Sequence, residues 1–136
     1  MKYLGIDHLG IAVHDLETAM ATYRDSLGFA ILGTESLPER GLDVAFVDAQ
    51  NSRIELLAPQ HEQSEISAFL AKRGEGLHHV CMRVSDIDKA VAKAKAKGLT
   101  VVGSGITRGA HGRRVAFIHP KSTHGILLEL VEEKEA

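Results

Sequence analysis

The sequence predicts a single α+β domain built from two copies of a βαβββ module. The main observation is an internal repeat, because a shift of 71 positions places His8 on His79. The same shift places Val44–Val47 on a matching apolar segment of the second half, and a slightly larger one pairs Glu55 with Glu129. Loops of different length produce such changes of offset. Two copies are too few for a solenoid, so we expect them to pack as one domain.

The first module covers about residues 4–58. Apolar and small or polar residues alternate over Ile6–Val13, which predicts a strand with one face packed against a helix. That helix is predicted from Asp15 to about Leu27, where Gly28 ends it. The three remaining strands of the module are predicted at Phe29–Leu37, Asp43–Asp48 and Ser52–Ala58.

The second module covers about residues 76–132 and follows a linking helix at about residues 64–73. Its first strand is predicted at His78–Val84, and a capping box of Ser85 and Asp88 opens a helix that runs to Lys97. The remaining strands are predicted at Thr100–Ile106, Arg113–His119 and Ile126–Val131. Residues Glu132–Ala136 have the composition of a loose, charged tail.

The composition excludes several classes of protein. Apolar residues make up 44% of the chain, and the net charge of −2 gives no general attraction to nucleic acid or anionic membranes. No apolar stretch approaches the ~20 residues that span a bilayer, and the N-terminus lacks the apolar region of a signal peptide. A single cysteine, Cys81, cannot form an internal disulfide. We therefore expect a cytoplasmic protein without nucleic-acid or membrane partners.

Four ionisable residues stand within predicted strands, where an unpaired buried charge costs several kcal/mol, roughly. They are His8, Glu55, His79 and Glu129. In each first strand the apolar alternates take the helix-packed face, which leaves the histidine on the opposite face. Two neutral imidazoles and two carboxylates suit a divalent cation, because the two negative charges balance the charge of the metal. The alternative is that these four residues are polar positions on a solvated face.

Several segments resemble the methylmalonyl-CoA epimerase family of the vicinal oxygen chelate superfamily, which also includes glyoxalase I and extradiol dioxygenases. The resemblance covers nearly the whole chain. The matching motifs are Ile6–Val13, Gly76–Val80, Gly109–Gly112, Phe117–Lys121 and Gly125–Leu130. The first motif occurs across the superfamily, whereas the Gly-Leu-His-His and His-Pro-Lys segments are more specific to the epimerase.

The resemblance implies a curved mixed sheet around a metal, commonly in a homodimer. It makes His8, His79 and Glu129 metal ligands, and it places Glu55 at a fourth position that is often glutamine. Cobalt is the ion most associated with the activity, so we expect Co²⁺. Zn²⁺, Mn²⁺, Ni²⁺ and Mg²⁺ are alternatives, because ions of similar size compete for such sites.

The implied reaction interconverts (2R)- and (2S)-methylmalonyl-CoA by removing the C2 proton and returning it on the other face through a metal-stabilised enolate. The family assigns one acid–base role to the residue matching Glu129. Its second acid stands three residues after the glycine matching Gly41, and this position is Val44 here. We hypothesise that Glu55 takes the second role. Neighbouring Asp43 is expected to point to the opposite face of its strand.

The acyl-CoA substrate gives the basic residues late in the chain a candidate role. Arg108, Arg113, Arg114 and Lys121 could pair with CoA phosphates or could form a solvated basic edge. We select Lys121, because it belongs to the His-Pro-Lys motif, and Arg113 as candidate substrate-binding residues.

The sequence is also compatible with three other functions. A glyoxalase I-type lactoylglutathione lyase would use the same four ligands, and an iron dioxygenase would need only two histidines and one carboxylate. A metal-free, ligand-sequestering protein of the antibiotic-resistance type would need none of them.

Overall fold

The computed structural model describes residues 1–134, so the last two residues of the predicted tail lie outside the described part of the chain. The chain divides into two compact units. One unit contains His8–His78, and the other joins Met1–Asp7 to the residues from His79 onward. Strand β1, Tyr3–Ala12, contributes to both units because the division falls within it.

The unit of residues 8–78 contains most of the first module and the linking helix. After β1 come α1 at Leu16–Ala21, β2 at Ile31–Leu37, β3 at Leu42–Asp48, β4 at Arg53–Pro59 and α2 at Glu65–Arg73. The strand order is β2-β3-β4-β1. Strand β1 runs parallel to β4, and the other two pairings are antiparallel. The parallel pairing requires the crossover that α1 and the two following strands provide.

The core of this unit lies between α1 and one face of the sheet. Asp15 begins α1, because its carboxylate accepts a hydrogen bond from the Thr18 N–H at 2.9 Å. The helix continues as a π-helical turn, Thr22–Ser26, and so reaches the predicted end near Leu27. The buried residues of the core are Val13, Met20, Ala45, Val47, Leu56 and Ala58.

The other unit contains the rest of the second module. Its elements after β1 are β5 at Gly76–Val84, α3 at Ile87–Ala96, β6 at Thr107–Arg108, β7 at Arg114–Ile118 and β8 at Leu128–Glu132. The first three residues of β5 belong to the other unit. The strand order is β1-β5-β8-β7-β6, with β5 parallel to β8 and the two later pairings antiparallel. Its helix-side core consists of Val84, Ile87, Ala90, Val91, Ala116, Ile118 and Leu130.

The predicted strand at Thr100–Ile106 is wrong. Only Val101 makes an isolated bridge there, with Ile118, and the edge strand β6 begins one residue after the predicted end. The cause lies in Gly103 and Gly105, which adopt φ angles of 61° and 96°. These left-handed conformations turn the backbone away from an extended path.

The predicted capping box of α3 is also wrong. Asp86 is the N-cap, and its carboxylate accepts from the Lys89 N–H at 3.1 Å. The Ser85 hydroxyl instead accepts from the Lys2 N–H at 2.8 Å. Glu132, which was predicted to lie in the tail, ends β8 and accepts a hydrogen bond from the Ile87 N–H at 3.1 Å.

The predicted fold class is confirmed. Both copies have the strand–helix–three-strand order, and the sheet mixes parallel and antiparallel pairs. No helix among residues 1–134 is long and apolar enough to cross a membrane.

Candidate functional site

His8 and Glu55 form a buried pair in the unit of residues 8–78. In the pairing of β1 with β4, Gly10 stands opposite Glu55. His8 precedes Gly10 by two residues, so its side chain lies on the same face of the sheet as Glu55, on the neighbouring strand. His8 Nδ1 is 3.0 Å from Glu55 Oε2, and each residue is 4% exposed. Glu55 alternates with the helix-side residue Leu56, so its carboxylate points away from the apolar core.

A cation and an aromatic ring adjoin the Glu55 carboxylate. Arg53 shares its strand face two residues earlier, and its Nη2 is 3.5 Å from Glu55 Oε2. The Arg53 guanidinium lies 5.4 Å from the centroid of the Phe46 ring, which is a cation–π distance. Phe46 in turn stands opposite Glu55 in the β3–β4 register. Stacking on this ring restricts where the guanidinium can lie.

His79 and Glu129 form the corresponding pair in the other unit. Strand β5 runs parallel to β8 and sets Cys81 opposite Glu129. His79 Nε2 is 3.0 Å from Glu129 Oε1, and the two residues are 3% and 5% exposed. The His79 ring packs edge-on against Phe117 with centroids 6.0 Å apart. Cys81 is fully buried, as expected for a small core residue.

The two pairs match element by element. In each unit a histidine of the first strand meets a glutamate of the last strand, and a phenylalanine stands opposite that glutamate. The pairs differ in the ring nitrogen used, Nδ1 for His8 and Nε2 for His79. Two residues before the glutamate, one copy has Arg53 and the other has Leu127.

The geometry within each pair suits joint coordination of a cation. Two cis ligands at about 2.1 Å from a six-coordinate metal lie about 3.0 Å apart. Both pairs have a nitrogen–oxygen distance of 3.0 Å. The donors are imidazole nitrogen and carboxylate oxygen, which divalent ions of the first transition series bind well. The residues present therefore fit a divalent metal.

Arg113 has a buried partner that the sequence analysis did not identify. Its Nη2 donates to Asp7 Oδ1 at 2.8 Å, and the Asp7 side chain is only 7% exposed. Burial by itself would lower the pKa of Arg113. The hydrogen bond to Asp7 and the negative charge of Asp7 together outweigh this effect, so the pKa lies above its ordinary value. The guanidinium thus stays charged in a half-buried position.

Lys121 lies elsewhere in this unit, on an exposed turn. The turn is a short 3₁₀ segment, Pro120–Ser122, whose N-cap residue is His119. The imidazole Nδ1 of His119 accepts from the Lys121 N–H at 3.0 Å.

The position at which the resemblance implies a second acid is apolar in this chain. Val44 is 1% exposed and stands opposite Leu57 in the β3–β4 register. Asp43 is held by neighbours on its own side, because its Oδ1 accepts from the Ser36 hydroxyl at 2.8 Å and from the Gln60 amide at 2.9 Å. The Asp43 carboxylate is thus engaged by Ser36 and Gln60.

Comparisons with known proteins define the class to which this arrangement belongs. The profile of the Glyoxalase/Bleomycin resistance protein/Dioxygenase superfamily matches residues 7–117. An ethylmalonyl-CoA/methylmalonyl-CoA epimerase of Cereibacter sphaeroides is 44% identical over 92% of this chain and 95% of its own length.

Solved structures give the same answer. A methylmalonyl-CoA epimerase of Mycobacterium tuberculosis superposes with a TM-score of 0.90 at 38% identity, covering 98% of this chain and 90% of its own. Another methylmalonyl-CoA epimerase, solved in complex with methylmalonyl-CoA and NH₄⁺, also gives a TM-score of 0.90 at 38% identity, over 97% of this chain and 96% of its own. The chain therefore belongs to the methylmalonyl-CoA epimerase family of that superfamily, which confirms the resemblance drawn from its motifs.

Proposed function

We propose that this chain interconverts (2R)- and (2S)-methylmalonyl-CoA with the help of one divalent metal held by His8, Glu55, His79 and Glu129. The observation that carries the proposal is the duplication of one buried histidine–glutamate pair with the same 3.0 Å spacing. The named substrate of the similar epimerases supports an acyl-CoA. A protein that only sequesters a ligand has no need of two such pairs.

The ligand set favours an ion that accepts both nitrogen and oxygen donors. Two neutral imidazoles and two carboxylates would neutralise a dication, which could then polarise the oxygens of the substrate. We propose Co²⁺, with Zn²⁺, Mn²⁺, Ni²⁺ and Mg²⁺ as alternatives. When bound, the cation supplies electrostatic stabilisation of the enolate that forms as the C2 proton leaves.

The two glutamates would divide the proton transfers. Epimerisation needs a group on each side of C2, one to accept the proton and one to return a proton. We assign Glu129 to one face and Glu55 to the other, because Val44 offers no ionisable group. The apolar neighbours of these carboxylates, including Phe46 and Phe117, would limit access of water to the reacting carbon.

Arg113 and Lys121 are the proposed contacts to the anionic parts of the substrate. Arg113 suits this role because the buried Asp7 carboxylate holds its guanidinium in place and keeps it charged. Lys121 has an exposed side chain on a capped turn, from which it can reach a phosphate of CoA.

Two further proposals concern the state of the protein. We propose a homodimer, on the family resemblance, and size-exclusion chromatography with light scattering tests it. We also propose a cytoplasmic location, because the single cysteine of the sequence, Cys81, cannot form an internal disulfide. Immunofluorescence or fractionation of the source cells would test this location.

The decisive experiment measures epimerase activity of metal-stripped and cobalt-restored protein, with metal content determined by mass spectrometry. We expect one metal per chain, little activity after stripping, and recovery with Co²⁺. Lactoylglutathione formation is measured in parallel, and we expect none. Full epimerase activity without metal would refute the metal-dependent mechanism, and lactoylglutathione formation without epimerisation would replace the proposed reaction.

Substitution of single ligands tests the proposed set. In His8→Ala and His79→Ala we expect loss of bound metal and of activity. His14→Ala is the matched control, because His14 is exposed and lies outside both pairs. Retention of stoichiometric metal by both ligand variants would exclude His8 and His79 as ligands.

A further inference from the structure

An arginine stands beside the first histidine–glutamate pair, whereas the matching position of the second copy is Leu127. Arg53 Nη2 is 3.5 Å from Glu55 Oε2, and the arginine side chain is 24% exposed. The second pair, His79 and Glu129, reaches the same 3.0 Å spacing with a leucine at that position. A cation is therefore not required to bring a histidine and a glutamate together in this fold, and the presence of Arg53 needs another explanation.

The Arg53 guanidinium is directed toward Glu55 and not toward the acid that faces it across the sheet. Asp48 stands opposite Arg53 in the β3–β4 register, and opposite charges on facing positions attract. The Asp48 carboxylate instead accepts a hydrogen bond from the Gln50 N–H at 2.8 Å. Arg53 lies over the Phe46 ring, 5.4 Å from its centroid, and reaches Glu55 along β4. The ring and the carboxylate together fix the position of the cation.

His8 and Arg53 contact the same oxygen of the Glu55 carboxylate. His8 Nδ1 is 3.0 Å from Oε2, and Arg53 Nη2 is 3.5 Å from that atom. The arginine contact is longer than a hydrogen bond, so it acts through charge. Two contacts to one oxygen restrict the terminal torsion of the glutamate, which otherwise has a broad range. The two oxygens of Glu55 therefore have different surroundings.

We propose that Arg53 is a positioning residue that divides the two tasks of Glu55 between its two oxygens. The inference rests on the proposed function. Oε2, held toward His8, is the oxygen that binds the metal, and Oε1 is the oxygen that takes and returns the C2 proton. In this transfer the C2–H bond breaks as an O–H bond forms at Oε1, and the electron pair of the broken bond stays on the enolate. A carboxylate that binds a cation through both oxygens loses this division.

Substitution of Arg53 by the residue of the second copy tests the proposal in the metal-loaded enzyme. Exchange of the C2 proton with deuterated solvent is measured separately for each epimer. For Arg53→Leu we expect the kcat of exchange at the face assigned to Glu55 to fall about tenfold with KM changed less than about twofold, because only the alignment of the reacting oxygen is affected. Exchange at the face assigned to Glu129 should change less than about twofold, which also reports that the variant is folded.

Two further variants separate positioning from a purely structural role. Arg53→Lys keeps the positive charge and should restore exchange to within about threefold of wild type, whereas Arg53→Gln lacks the charge and should behave like Arg53→Leu. Arg40→Leu is the matched control, because Arg40 is 27% exposed and pairs with Glu65 at 3.0 Å in the same unit. This control should leave both exchange reactions unchanged.

Metal affinity gives a readout that needs no turnover. The Kd for Co²⁺ is measured in wild type and Arg53→Leu by competition with a chromophoric chelator. Removal of a positive charge beside a ligand should leave this Kd equal to that of wild type or lower it, because like charges repel.

Three results would count against these assignments. A Kd for Co²⁺ raised more than about tenfold in Arg53→Leu, or an equal loss of exchange at both faces, would show that Arg53 supports the site as a whole and would overturn the proposal. Unaltered exchange in Arg53→Leu would overturn it as well. Wild type that exchanges neither epimer would refute the proposed function, and this inference with it.

Discussion

Replacement of Glu55 by glutamine is the most informative single perturbation of the candidate site. The amide keeps the size of the side chain and one oxygen near His8 Nδ1, which is 3.0 Å from the carboxylate. It removes the negative charge and the ability to take a proton. Loss of a general base lowers a rate by ~10²–10⁴-fold, equivalent to about 2.7–5.4 kcal/mol of transition-state stabilisation.

The assay follows exchange of the C2 proton of each epimer with deuterated solvent. If Glu55 serves one face, exchange of one epimer falls by the full factor, while exchange of the other, served by Glu129, falls much less. The rate of epimerisation should fall by the same factor as the slower of the two exchange reactions. Asp43→Asn is the matched carboxylate-to-amide control, because Asp43 is bonded to Ser36 and Gln60 away from the pair.

Metal content decides between the two roles assigned to Glu55. A variant that retains its metal and loses exchange on one face supports the acid–base role. A variant that loses its metal and both exchange reactions together supports a ligand role alone. Unaltered exchange on both faces with the metal retained would refute the reasoning.

Three further predictions concern stability. Asp7→Ala leaves the half-buried guanidinium of Arg113 without its partner and should lower the free energy of unfolding by about 2–4 kcal/mol in urea titrations; an unchanged midpoint would contradict the importance of this pair. Leu56→Ala, at a fully buried core position, should cost about 2–5 kcal/mol in the same assay, and a loss below about 1 kcal/mol would show that the core relaxes. Hydrogen bonds from the hydroxyl and N–H of Thr18 lower the pKa of Asp15 below its ordinary value of 3.8. The stabilisation by the Asp15 carboxylate is therefore complete above pH 3.8 and is lost as the pH falls through the lowered pKa. Thermal melts of Asp15→Asn should show a smaller loss of stability in acid than wild type, and equal acid profiles would contradict this origin.

The repeat explains why much of the candidate site could be predicted from sequence. A charge inside an apolar strand is costly, so a histidine or glutamate at the same position of both copies indicates a shared role. Alternation along the strands then assigns His8 and Glu55 to the face away from the helix, and likewise His79 and Glu129. Both pairs occur in the structure at 3.0 Å.

Other features depend on contacts that no local pattern reveals. Asp7 accepts a hydrogen bond from Arg113, which lies 106 positions later in the sequence. The sequence indicates a role for Asp7 only through its place beside His8 in a predicted strand.

Two predictions failed for local reasons. The predicted strand at Thr100–Ile106 contains Gly103 and Gly105, whose left-handed conformations turn the backbone away from an extended path. Ser85 and Asp88 have the spacing of a capping box, but the intervening Asp86 makes the cap.

The duplicated architecture also explains why the two carboxylates need not be equivalent. Each module buries the face of its strands that meets its helix, so the histidine and the glutamate lie on the other face, where they would supply half of the ligands of the proposed metal. The copies differ beside the glutamate: Arg53 places a cation 3.5 Å from Glu55, whereas the matching residue, Leu127, is apolar. Glu55 and Glu129 thus have different electrostatic surroundings. An enzyme that removes a proton on one face of a carbon and returns it on the other can use two carboxylates that differ in this way.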